Sequence, residues 1–118
     1  MWERYNISAQ QALSQGKPAE AENFFRLALA EAEKLPPNDP KLPTTLNNLA
    51  NCLRQQGRYG DAEPLYKQAI SVKEKASGHN SKDLAILLEN YAKMLRLSGR
   101  VPEAEKIDTR VHAIYAKH

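Results

Sequence analysis

The chain has 118 residues, of which 42% are hydrophobic and 26% charged, and its net charge is +3. This length is typical of one domain, and no apolar run approaches the roughly 20 residues of a membrane-spanning helix. The basic residues alternate with acidic ones instead of clustering with aromatic residues, which argues against nucleic-acid binding. We therefore expect neither membrane nor nucleic acid as a partner.

The compartment is predicted from two features. Cys52 is the single cysteine, so no internal disulfide can form, and a reducing compartment is favoured. The first residues show no basic stretch followed by an apolar one, so we expect no secretion. The cytoplasm is the predicted location.

The first part of the chain predicts a helical hairpin. Helices are expected near residues 2–15 and 18–35, with apolar residues at helical spacing in the second. Gly16 suits the turn between them, because glycine adopts a left-handed backbone without steric penalty. The proline-rich stretch 35–43 ends the hairpin, and Asp39 can cap the helix that follows.

The hairpin is then repeated twice. Helices are predicted near 42–56 and 60–76 around Gly57, and near 82–98 and 102–117 around Gly99, with Ser81 as a cap. The three glycines lie 41 and 42 residues apart (57 − 16 and 99 − 57), and each begins a similar stretch that ends in Glu-Ala-Glu or Asp-Ala-Glu. A period of this length indicates a stacked repeat.

Small residues predict where the two helices of each pair cross. Alanines recur seven residues before and five residues after the turn glycines: Ala9, Ala50, Ala92, Ala21, Ala62 and Ala104. Helices joined by so short a turn run antiparallel, and one pair cannot cover its own apolar faces, so the pairs must stack. The predicted fold is an all-α solenoid of three antiparallel helix pairs. It forms one domain over 1–118, with units near 2–41, 42–81 and 82–118.

This pattern resembles the tetratricopeptide repeat, in which small residues lie at the helix crossing and an aromatic residue follows in the second helix. The middle unit carries it at Leu46, Leu49, Ala50, Leu53, Ala62, Tyr66 and Ala69, and the first unit at Tyr5, Ala9, Ala21, Phe25 and Ala28. The long unit is similar to the kinesin-light-chain-type subgroup. The resemblance implies a right-handed superhelix and protein or peptide binding.

The third unit departs from the pattern, since Asp108 stands where Tyr66 and Phe25 stand in the other units. We interpret residues 102–117 as an end cap, because a terminal repeat needs a polar outer face. A fragment of a longer array is the alternative, and an apolar patch on the last helix would favour it.

The first helix of each pair is expected to line the concave side of the stack. The polar residues between its core positions are the predicted groove residues: Asn6, Gln10, Asn47, Asn48, Asn51, Arg54, Glu89, Asn90, Lys93 and Arg96. Amide side chains can pair with an extended peptide backbone, and the arginine fork favours a carboxylate. For any single residue, ordinary solvation is the competing explanation.

No residue pattern predicts catalysis. Cys52 is expected to be a buried small hydrophobe, the three histidines form no metal-ligand spacing with it, and there is no glycine-rich phosphate loop. We therefore expect no enzyme activity, no metal and no cofactor.

The predicted function is a scaffold or adaptor that binds a peptide segment of a partner protein, with acidic groups favoured, in the concave groove. A second hypothesis is a self-association module that forms a homo-oligomer by stacking its end helices, at Trp2–Tyr5 or Ile107–Tyr115. A fragment of a longer scaffold is the third.

Overall fold

The computed structural model describes all residues from Met1 to His118 and contains six α-helices and no strand. They are α1 Trp2–Ser14, α2 Pro18–Ala32, α3 Lys41–Gln55, α4 Tyr59–Ser77, α5 Lys82–Leu97 and α6 Val101–Ala116. The all-α prediction is confirmed. The largest difference in bounds is at α2, which was expected to reach residue 35. Its last turn stops early because Leu35 precedes Pro36, and the residue before a proline is disfavoured in a helix.

The three turns within the pairs close in the same way. Gly16, Gly57 and Gly99 have φ values of 71°, 74° and 83°. The residue after each glycine donates its N–H to the carbonyl five positions back, at 2.8–2.9 Å, as in Arg58 to Leu53. This closure needs a left-handed residue, which explains why glycine recurs at the repeat period.

The packing order is that of a solenoid. Each helix packs on the next along the chain, within pairs and between pairs. In addition the backbones of α3 and α5 approach each other closely, whereas those of α2 and α4, or of α4 and α6, do not. A hydrogen bond from Trp2 of α1 to Thr45 of α3 links the first helices of the first two units. The closer approach of α3 and α5 indicates that the first helices form the inner side of the stack.

One continuous core runs through the stack. The six alanines predicted at the crossings are at most 1% exposed, which lets the paired helices approach closely. Phe25 and Tyr66, both 0% exposed, fill the space beside them. Ser81 caps α5 as predicted, since its hydroxyl accepts from the N–H of Leu84 at 3.2 Å. The N-cap position of α3 is Pro40 instead of Asp39, although the Asp39 carboxylate accepts from the N–H of Lys41 at 2.9 Å.

The outward face of α6 differs from the equivalent faces of α2 and α4. Asp108 replaces the aromatic residue and forms an ion pair with Arg96 of α5, and the exposed His112 stands where the earlier units have Leu29 and Ile70. The larger apolar residues left exposed on α6 are Val101 and Tyr115. The single domain of three units with α6 as its cap stays a prediction.

Candidate functional site

The predicted groove residues all lie on the inner helices, and equivalent positions of the three units form rows. Counted from the turn glycines, the rows are Asn6–Asn47–Glu89, Gln10–Asn51–Lys93 and Leu13–Arg54–Arg96. Six of the ten predicted residues are half-buried, four are exposed and none is fully buried. Half-buried are Asn6, Asn47, Asn48, Asn51, Arg54 and Asn90, and exposed are Gln10, Glu89, Lys93 and Arg96. The amide row is therefore open to a ligand, while its binding role stays a prediction.

The asparagines are held to different degrees. The Asn90 amide nitrogen donates to the Asn47 side-chain oxygen at 3.1 Å and so links α5 to α3. The Asn51 side-chain oxygen accepts from the Tyr66 hydroxyl at 2.5 Å. Asn48 has no side-chain hydrogen bond within the chain. Asn51 thus has a structural role that the sequence did not indicate, whereas Asn48 is free to bind.

One of the four charged groove residues is neutralised within the chain, and a second is hydrogen-bonded. Arg96 is paired with Asp108, whereas the Glu89 carboxylate accepts from the neutral Tyr115 hydroxyl at 2.5 Å and keeps its charge. Arg54 and Lys93 take part in none of the chain's ion pairs. The predicted groove residues therefore include two cations without an ion-pair partner, Arg54 and Lys93, beside one carboxylate, Glu89.

Two buried side-chain polar atoms have no hydrogen-bond partner, and both belong to predicted groove residues. They are the Asn6 side-chain oxygen Oδ1 and the Arg54 guanidinium nitrogen Nη1. Buried polar atoms are nearly always paired in native proteins, so such an atom calls for an explanation. Arg54 also lies close enough to the Tyr66 hydroxyl to lower the pKa of that phenol, but burial is the larger cause and raises it to about 12.

A pocket of about 220 Å³ opens between the N-terminal ends of α3 and α5. Its lining includes Thr44, Asn47 and Ile86, and Ile86 is 50% exposed. Thr44 and Ile86 were not among the predicted groove residues. Both lie 13 positions before their turn glycines (57 − 44 and 99 − 86), one turn before the first row, and counting back another turn would have found them.

The side chains that could act as nucleophiles or metal ligands are either buried in the core or too far apart to form a site. Cys52 is 0% exposed, its sulfur lies 2.9 Å from the Pro18 carbonyl oxygen, and burial raises the pKa of its thiol. The prediction of a buried cysteine is confirmed. No group of three or more histidine, cysteine, aspartate or glutamate side chains is arranged to hold a metal ion.

None of the six helices has both the length and the apolar character that crossing a bilayer requires.

Comparison with known families decides the assignment. A model of the tetratricopeptide repeat matches residues 5–75 and 41–117. The chain belongs to the tetratricopeptide repeat family. The resemblance seen in the sequence is confirmed, and repeats of this family serve as protein-interaction modules.

Solved structures share this fold. Repeats of a putative kinesin light chain from Podosopora anserina superpose with a TM-score of 0.87 at 20% identity, covering 98% of this chain and 55% of that one. The tetratricopeptide domain of Arabidopsis FLU gives 0.84 at 19% identity, covering 99% and 96%. BtubC (BKLC) from P. vanneervenii gives 0.62 at 20% identity, covering 98% and 63%. The chain spans about half the length of the first of these structures. At these identities the likeness establishes the solenoid fold.

Proposed function

We propose that this tetratricopeptide solenoid binds an extended segment of a partner protein along the inner face of α1, α3 and α5. The observation that carries the proposal is the set of polar rows on that face, in which none of the ten predicted groove residues is fully buried. An extended peptide supplies N–H donors and C=O acceptors at regular spacing, which amide side chains in such rows can bind.

The free amides of the inner face support an extended ligand. Asn48 and Gln10 make no side-chain hydrogen bond within the chain, and each offers one acceptor and two N–H donors. Packed helices lie about 8–10 Å apart, and an extended chain advances about 3.3 Å per residue. A segment of about six to eight residues would therefore cross all three inner helices.

The charge of the inner face favours acidic side chains in the partner. Arg54 and Lys93 have no ion-pair partner in the chain, and they outnumber the carboxylate of Glu89, which is hydrogen-bonded to the neutral Tyr115 hydroxyl. A cation and a carboxylate attract each other most strongly where water is partly excluded, which is the situation of the half-buried Arg54.

We propose the cytoplasm as the location of this function, because a single, buried cysteine is compatible with a reducing compartment.

Selection from a library of random peptides tests the proposal, because it can be carried out while the natural partner is still unidentified. We expect the chain to retain specific peptides, and Asn48→Ala combined with Arg54→Ala to weaken their binding about tenfold or more. Asn48 is preferred to Asn51 for this test, because replacing Asn51 would also remove the acceptor of the Tyr66 hydroxyl.

Gln68→Ala combined with Lys75→Ala serves as the matched control, since both residues are exposed on the outer helix α4. Equal affinity of the groove variant and the wild type, measured by fluorescence anisotropy, would contradict the proposal. So would a loss of the same size in the control variant.

Self-association through the end helices is the alternative function. The exposure of Val101 (44%) and Tyr115 (41%) on α6 favours it. Trp2, at the other end, is half-buried and donates its indole N–H to the Thr45 hydroxyl at 2.7 Å. Analytical ultracentrifugation at high protein concentration distinguishes the two functions, since a monomer would exclude stacking of the end helices.

A further inference from the structure

A pocket of about 310 Å³ opens beside the linker between the first and second units, and none of the predicted groove residues lines it. We call it the linker pocket. It is formed by the linker, the first turn of α3 and the last two turns of α4, and its lining residues are Pro37, Asn38, Leu42, Val72, Lys75 and Ala76. Ligand sites typically combine an apolar wall of this kind with a few polar groups.

The third unit contains the same arrangement with a side chain across it. Counted from the turn glycines Gly57 and Gly99, the equivalents of the six lining residues are His79, Asn80, Leu84, Ile114, Lys117 and His118. The His118 ring nitrogen Nε2 lies 2.7 Å from the Asn80 backbone oxygen. Because a carbonyl oxygen can only accept, the ring donates its N–H. Leu84 and Ile114 are at most 1% exposed, and no pocket opens there.

The linker pocket is open because Ala76 stands where the third unit has His118. The acceptor is present in both units, since Asn38 and Asn80 occupy the second position of the same two-residue turn before the next helix. The Asn38 backbone oxygen, however, accepts no hydrogen bond within the chain. The second unit therefore has the turn and the apolar wall but lacks the ring.

We propose that the linker pocket binds the imidazole ring of a histidine in a partner protein, and that the ring donates its N–H to the Asn38 backbone oxygen. The site is separate from the inner face, so this inference does not depend on the proposed function. The choice of ligand comes from the chain itself, because the equivalent turn of the third unit accepts from an imidazole. Leu42 and Val72, both half-buried, offer apolar contact to the carbon atoms of the ring.

The charge at the pocket favours an acidic residue beside that histidine. Lys75 is exposed and takes part in none of the chain's ion pairs. A carboxylate next to the bound ring would supply its partner. Exposed ion pairs contribute little, so this preference should be weaker than the requirement for the ring.

Titration with capped tripeptides, followed through the amide resonances of the intact chain by NMR, tests the proposal. The probe is acetyl-Glu-His-Glu-amide at about pH 8, where a histidine with an ordinary pKa of about 6.5 is neutral. We expect saturable shifts at Asn38, Val72 and Ala76, with a dissociation constant on the order of millimolar. Methylation of the peptide histidine on Nδ1 leaves the neutral ring without an N–H, and should weaken binding about fivefold. Alanine in place of histidine should abolish binding.

Three variants make the assignment specific. Ala76→His places an imidazole where the third unit has His118, so it should fill the pocket and prevent binding. Ala30→His is the matched control, because Ala30 is an exposed alanine near the end of another second helix, α2, and this variant should bind as the wild type does. Lys75→Gln should weaken binding of the probe about two- to fivefold but leave acetyl-Gln-His-Gln-amide unaffected. Circular dichroism verifies that all three are folded.

The outcomes separate this inference from the proposed function. Absence of shifts at the pocket, equal affinity for the methylated peptide or undiminished binding to Ala76→His would each overturn it. Equal losses for both peptides in Lys75→Gln would overturn the preference for an acidic neighbour. Asn48→Ala combined with Arg54→Ala changes only the inner face and should leave the affinity for the probe unchanged; a loss there would assign the probe to the inner face and leave the proposed function standing.

The linker pocket also explains one outcome of the peptide selection. Lys75 belongs to the control variant of that experiment, so a peptide that loses affinity in the control, but not in the groove variant, is expected to contain histidine. Such a peptide without histidine would contradict this inference.

Discussion

Arg58, just before α4, binds the Glu22 carboxylate of α2 with an Nη1–Oε1 distance of 2.7 Å, across the boundary between the first and second units. Arg100 binds Glu63 at 2.8 Å in the same way across the next boundary. Each arginine follows a turn glycine, and each glutamate follows a crossing alanine. The repeated stretch that marks the turn therefore also holds neighbouring units together.

The first prediction concerns this contact between units. Glu22→Gln keeps the shape of the side chain but removes the charge that Arg58 and Arg26 share. We expect the free energy of unfolding to fall by about 1.5–3 kcal/mol, the range for hydrogen bonds to charged groups. Urea denaturation measures the change. Glu20→Gln is the control, because Glu20 lies in the same helix, is exposed and has no ion pair; a similar loss in both variants would contradict the role of the contact.

The same contact predicts the behaviour in acid. Burial alone would raise the pKa of Glu22, but hydrogen bonds from Arg26 and Gln56 and the charge of Arg58 together lower it below 4.5. The hydrogen bond from Arg100 lowers the pKa of Glu63. Carboxylates with a lowered pKa stabilise the fold fully above their unfolded pKa and lose that contribution as the pH falls. Below pH 4.5 we expect the free energy of unfolding to decrease as the pH falls, and this decrease to be smaller in Glu22→Gln than in the wild type. If the free energy of unfolding depended on pH equally in the wild type and in Glu22→Gln, this explanation would be refuted.

Tyr66 predicts a change in alkali. Burial raises the pKa of its hydroxyl from 10.0 to about 12, so the folded state favours the neutral phenol. The resulting stabilisation is present in full below pH 10 and is lost as the pH rises from about 10 to about 12. Tyr66→Phe should lower the unfolding free energy near pH 7 by about 1 kcal/mol through the lost hydrogen bond to Asn51. In Tyr66→Phe the free energy of unfolding should also decrease less as the pH rises above 10. The difference in tyrosinate absorbance between the wild type and Tyr66→Phe gives the pKa of Tyr66, and an ordinary value would disprove the premise.

Two glycines offer a matched pair of substitutions. At Gly57 a Cβ atom would meet nothing within 4 Å, but φ is +74°, so Gly57→Ala should destabilise the chain by about 1–2 kcal/mol through backbone strain alone. Gly60 also has open space and lies within α4 at an ordinary φ. Gly60→Ala should be neutral or stabilise by up to about 1 kcal/mol. Thermal unfolding of both variants tests the contrast, and effects of the same sign and size would contradict it.

The sequence alone was sufficient for the helix pairs, because their causes are local. A glycine that must be left-handed, alanines at fixed distances from it and prolines in the linkers specify each hairpin without reference to distant residues. Because these hairpins recur at a nearly constant period, they are expected to stack on one another. The prediction of the inner helices and of their polar rows came instead from the general geometry of stacked helix pairs.

Tertiary structure decided what each polar residue does. The sequence gives no sign that Glu22 binds Arg58, because the two residues belong to different units and meet only when those units pack together. Likewise Arg54 and Arg96 are equivalent in sequence, but only Arg96 is paired, because Asp108 reaches it from the neighbouring helix. Pairing depends on which helices pack together and on which residue faces the contact, and repeat spacing by itself does not contain that information.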